Sequence, residues 1–125
     1  MADIVTSYKP NSSALNCAVG STSWRVISSD GNAYASISAL LAAGKTPFAS
    51  QDAGNFSEVS VRSIATGGTS DGSAFEVEIN KASAPTNGAF CSGSGQTIVN
   101  PDGPVWNLWA KMSVSTDILN IRMRW

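Results

Sequence analysis

The sequence predicts an all-β fold: one β-sandwich or jelly-roll-like domain of about seven or eight strands, with one short helix and an extended N-terminal arm. Three observations carry this expectation. Short apolar stretches recur between clusters of Gly, Pro, Asn and Ser. Several of them alternate apolar and polar residues with a period of two, which places one strand face in a core and the other in solvent. The gaps between them are too short for repeated helical crossovers between parallel strands.

The elements follow in order. Met1 to Asn16 is polar and irregular, with Pro10 and Ser12-Ser13, and reads as an extended arm (1–16) ahead of the sandwich domain (17–125). Leu15–Val19 and Trp24–Ile27 suit strands, and Ser29-Asp30-Gly31-Asn32 has turn chemistry. Ala33–Ala43 is the one helix candidate. Tyr34, Ile37 and Leu40 or Leu41 recur at helical spacing, Asn32 is placed to cap the start, and Gly44 and Pro47 mark the end. The rival for this stretch is a strand from Tyr34 to Leu40. Lys45–Asn55 reads as a loop.

The period then changes to two. Val59 and Val61 alternate with Glu58, Ser60 and Arg62, and Phe75, Val77 and Ile79 alternate with Glu76, Glu78 and Asn80. Ala89–Ser92 and Gln96–Val99 read as short strands, Val105–Val114 as a longer one. A hairpin connection at Ser115-Thr116-Asp117 leads to the last strand, where Leu119, Ile121, Met123 and Trp125 alternate with Asn120, Arg122 and Arg124.

The chain has 125 residues, the size of one domain, and 42% of them are hydrophobic, enough for a core. Only 14% are charged, against about 25% in ordinary soluble domains. Such a surface is either covered by partners in an assembly or a mildly polar free surface. Eight Lys and Arg oppose nine Asp and Glu, giving a net charge of -1, so no nucleic-acid partner is expected. Arg122 and Arg124 share a strand face and read as solvated. No apolar run approaches the roughly 20 residues that span a membrane. No secretory signal is visible at Met1–Val5, so synthesis in a cytoplasm is expected. Without a secretory route, Cys17 and Cys91 are expected as buried free thiols.

The sequence contains no histidine. Ser-His-Asp and Cys-His nucleophilic sets are therefore impossible, and a zinc site is not expected. No Ser-x-x-Lys spacing substitutes for them. Glu76 and Glu78 share a strand face beside Lys81, where paired carboxylates can act as acid and base, although an outer sheet face explains them as well. Ala39 to Thr46 fits a relaxed phosphate-loop pattern, but Ala39 replaces the first Gly, and the helical signal precedes Gly44 instead of following it. Gly67-Gly68 and Gly93-Ser94-Gly95 read as hairpin turns. No enzyme activity and no cofactor are expected.

Trp106 and Trp109 lie three apart, so on a regular strand they face opposite sides and one of them is left for an interface. A second layer or a bulge would bury both, and an exposed ring would also stack on sugar.

The stretch from Thr69 to Asn80, the Val105–Lys111 segment with its Trp-x-x-Trp spacing, and the closing strand to Trp125 resemble small virion proteins of tailed bacteriophages. The resemblance covers the last third to half of the chain. It implies a β-sandwich or jelly-roll oligomer, commonly a trimer, with no catalytic residues. The corresponding expectation is a capsid decoration (cement) protein of the virion that binds the major capsid protein or other virion proteins. Its candidate interface residues are Ile4 and Tyr8 on the arm and Trp106, Trp109 and Trp125. The alternatives are a tail, connector or fibre-anchoring component, and a carbohydrate-binding β-sandwich module.

Overall fold

The computed structural model describes residues 12–48, 58–68, 70–91, 96–99 and 104–124. These form nine strands and one helix: β1 (Ser12–Ala18), β2 (Arg25–Ile27), β3 (Ala33–Tyr34), α1 (Ile37–Ala42), β4 (Glu58–Ile64), β5 (Phe75–Ile79), β6 (Ala89–Cys91), β7 (Gln96–Val99), β8 (Leu108–Met112) and β9 (Ile118–Arg124). Two antiparallel sheets result. Sheet A has the order β1-β9-β4-β7 and sheet B the order β3-β2-β8-β5-β6.

Without β3, the pairing is nested. β1 pairs with β9, β2 with β8, β4 with β7 and β5 with β6. A long antiparallel ribbon folded over itself gives this order, which is the connectivity of a jelly roll. β3 is an added edge strand beside β2. The all-β expectation is thus borne out.

Period-two patterning determines which residues meet between the sheets. Sheet A contributes Cys17, Val59, Val61, Leu119, Ile121 and Met123 to the core. Sheet B contributes Ile27, Phe75, Val77, Leu108, Ala110 and Met112. Each fully buried aliphatic or aromatic side chain adds about 1.5–3 kcal/mol of transfer free energy. A second, smaller cluster lies on the opposite face of sheet B. There Val26 and Trp109, cross-strand partners, pack with Leu40 of α1, joined by Trp24, Tyr34 and Ile37. The helix therefore closes over one sheet face, and β2 and β8 are buried on both sides where it does so.

Four sequence expectations are corrected. The helix does not run from Ala33. Tyr34 pairs with Val26 in β3, and the cap is Ser36, whose hydroxyl accepts from the Ala39 N–H at 3.0 Å, not Asn32. Gly44 does follow the helix, with a left-handed φ of 75°. Second, Ser12–Asn16 belongs to β1 and pairs with Asn120–Arg124, so the arm as drawn is too long; residues 1–11 lie outside the described residues. Third, β8 begins at Leu108, not Val105; just before it the Asn107 side-chain amide, not a strand backbone, bonds Lys81. Finally, Ser115–Asp117 makes no hairpin. β8 and β9 lie in different sheets, so this turn crosses the sandwich edge. β6 and β7 are likewise split between the sheets, so the hairpin expected at Gly93-Ser94-Gly95, itself outside the described residues, does not join paired strands.

Candidate functional site

Asn80 is the described non-glycine residue with a left-handed backbone, at φ 59°. Asn tolerates this region because its short amide bonds locally. Here it bonds across the loop instead. Its Nδ2 donates to the Pro104 carbonyl at 3.0 Å, its Oδ1 accepts from the Trp106 N–H at 2.8 Å, and its own N–H donates to the Asn107 carbonyl at 3.1 Å. Asn107 is fully buried and answers from the other side. Its Nδ2 donates to the Lys81 carbonyl at 2.7 Å and its Oδ1 accepts from the Lys81 N–H at 3.0 Å. The amide thus stands in for one more residue of the β5–β8 ladder, just past its last pair, Ile79 with Leu108. Two asparagines lock the corner that carries Trp106.

Trp106 is 50% exposed on this corner, whereas Trp109 is 1% exposed. Trp109 donates its Nε1–H to the Lys81 carbonyl at 2.9 Å and packs under α1. It is therefore a core residue and leaves the candidate interface. The expectation that the two rings part company holds, but the alternation of a regular strand is not the cause, since Trp106 precedes β8. Ile4, Tyr8 and Trp125 lie outside the described residues.

The two motifs weighed for chemistry are both occupied structurally. Glu76 accepts from the Gly88 N–H at 3.3 Å and Glu78 from the Ile79 N–H at 3.1 Å. They sit opposite Lys111 and Trp109 on the outer face of sheet B. Gly44-Lys45-Thr46 follows the C-terminal end of α1, and the Lys45 Nζ lies 3.0 Å from Asp30 Oδ2. The hydrogen bond from the Ser28 hydroxyl, then that from Lys45, hold the Asp30 carboxyl far below the usual carboxylate range. Asp30 in turn raises the Lys45 pKa. The ion pair ties Lys45 to the 28–32 turn. Among the described residues no three His, Cys, Asp or Glu side chains gather as metal ligands. Cys17 is a buried free thiol whose pKa burial pushes up to about 12, with a smaller contribution from Asp30.

The outer face of sheet A holds what the sequence reading missed. Arg122 and Arg124 do share a face, but strand pairing adds Arg62 and Glu58 from β4 to it. No described helix is long and apolar enough to cross a membrane. Comparison with protein families, with curated proteins and with solved structures finds no match to this chain.

Proposed function

We propose that the chain is a non-catalytic structural protein of a bacteriophage particle: a capsid decoration (cement) protein that binds the major capsid protein as a homo-oligomer, by preference a trimer, and stabilises the head. The observation that carries this reading is Trp106, half exposed on a corner locked by Asn80 and Asn107. A large ring carried on a backbone held in place before association loses less freedom on binding, which is how interface anchors reach high affinity. The jelly-roll connectivity and the low charge support the reading, since capsid domains use that architecture and assembled surfaces need few charges. Lectins and cupins share the fold, so fold alone does not select among them.

The test uses particles that lack the chain. Wild-type protein added back should bind and raise the temperature of genome release, and Trp106→Ala should weaken binding by about tenfold or more. No binding, together with unchanged shell stability, would sink the proposal. Copy number separates head from tail. About hundreds per particle fit decoration, whereas about six to twelve would place the chain at a connector or tail ring. A sugar-dependent signal on a glycan array, lost in Trp106→Ala, would select the carbohydrate-binding reading instead.

A further inference from the structure

We infer that the outer face of sheet A is a docking groove for an extended, acidic peptide segment of a partner protein. The inference is independent of the virion reading and would hold for any binding domain with this face.

The groove follows from register. Arg122 on β9 lies between Ala14 on β1 and Ser60 on β4, and Ser60 pairs onward with Ile98 on β7. Both neighbours of Arg122 are small, so the face sinks between its longer side chains. The result is a trough of about 510 Å³ that runs from Glu58 and Arg124 past Ala14 and Ser60 to Gln96. A smaller polar cavity of about 110 Å³ extends it to Arg62 and Asn120. Ile98 stands at the rim, 52% exposed.

The charge fixes the class of ligand. Among the described residues, this face sets Arg62 and Arg122 beside Glu58 and Arg124, which are cross-strand partners of one another. Among the described residues Arg62 and Arg122 form no ion pair; Arg122 donates only its Nε–H, to Asn120 Oδ1 at 3.3 Å. Their remaining guanidinium N–H groups form the planar fork that matches a carboxylate with two parallel bonds. Arg62 pairs with Asn120 and Ser60 with Arg122, so the two arginines are diagonal neighbours on adjacent strands. Diagonal positions lie about 7–8 Å apart. Alternate residues of an extended peptide lie about 6.5–7 Å apart. Carboxylates at every second position therefore match the spacing, and the rim at Ile98 accepts an apolar side chain. A nucleic acid fits less well. It needs a run of uncompensated cations, and among the described residues this face offers Arg62 and Arg122.

The test is fluorescence anisotropy with the full chain and a labelled peptide in which Glu alternates with Thr and Val. The controls are the same peptide with Lys for Glu, and a single-stranded oligonucleotide. Wild type should bind the Glu peptide, and more weakly as salt rises, but not the Lys peptide. Arg62→Gln with Arg122→Gln should lose about tenfold in affinity. Ala14→Tyr, which narrows the trough and leaves every charge in place, should weaken binding as well. The urea midpoint, expected within about 0.5 kcal/mol of wild type in the variants because all three positions are exposed, separates lost binding from lost folding. Equal affinity of wild type and both variants, no binding by wild type, or tighter binding of the oligonucleotide would overturn the inference. None of these outcomes bears on Trp106, which lies in the β5–β8 corner and not on this face.

Discussion

Cys17 shows how one buried side chain ties chemistry to stability. It lies on the inner face of β1 with no exposed surface, and burial raises its pKa from 9.0 to about 12. The thiolate is the reactive form, so native Cys17 should resist iodoacetamide at pH 8 and react once the chain unfolds, as read by mass spectrometry of its peptide. The same shift has a definite sign in folding. Below pH 9 both states hold the proton and the stability is fully present. Between about 9 and 12 the unfolded chain has lost the proton and the folded chain keeps it, so stability falls by up to about 1.4 kcal/mol per pH unit. Urea melts across that range should show the decline, and Cys17→Ala should flatten it. Asn107 makes a different point at the same scale. Asn107→Ala removes the acceptor of the Lys81 N–H and a donor to the Lys81 carbonyl, at a cost of about 1–3 kcal/mol by urea denaturation. Trp106→Ala should cost clearly less stability than Trp109→Ala, since Trp106 is half exposed and Trp109 is buried. A loss as large as that of Trp109→Ala would mean that Trp106 supports the corner rather than a partner.

At the level of elements, α1 depends on its cap and on the cluster beneath it. Six residues are too few for a helix to stand alone. Leu40 and Ile37 hold it against Val26 and Trp109, while the Ser36 hydroxyl satisfies one of its free N–H groups. Ser36→Ala should cost about 1 kcal/mol, seen as a lower urea midpoint with the slope unchanged. This region also shows where the sequence misleads. Tyr34, Ile37 and Leu40 recur at helical spacing because all three serve the same cluster, yet Tyr34 reaches it from a strand. β4, β5 and β9 were legible because each buries one face and wets the other. β8 was misjudged at its start because Trp109 is buried beneath the helix while Leu108 and Ala110 are buried in the sandwich, so no alternation marks its boundary. The candidate surfaces were legible to different degrees. Surplus tryptophan pointed at Trp106, Trp109 and Trp125 alike, and burial separates Trp109 from Trp106. The role of Asn80 carries no local signal, since its partners lie 24 and 26 residues away. Arg62 joins Arg122 only through the β4–β9 register.

Over the whole molecule, the nested pairing joins the two ends of the described chain. Ser12 is the register partner of Arg124, and β9 fills the space between β1 and β4. Turn chemistry cannot reveal this, because Gly- and Asp-containing turns look alike whether the next strand stays in the sheet or crosses to the other one. The consequence is testable by rewiring. Joining residue 125 to residue 1 leaves the segment 1–11 as a tether between neighbouring strand ends, a distance a chain of that length spans easily. New termini opened between Gly67 and Gly68 fall on an exposed turn, where both residues have left-handed φ and no neighbouring atom would crowd a Cβ. This permutant should fold to the same sandwich, because exposed loop tips tolerate opening. Its near-UV circular dichroism should match the parent, since Trp109 stays under α1. Its melting temperature should be lower, because the tie between the Ala65 carbonyl and the Gly68 N–H is cut. Opening the chain inside β9 instead, between Asn120 and Ile121, breaks a strand paired on both sides and splits the core row Leu119, Ile121 and Met123. That variant should show no cooperative melt. If the first permutant failed to fold while the second succeeded, the β1–β9 closure would be wrong and the two sheets would have to be reassigned.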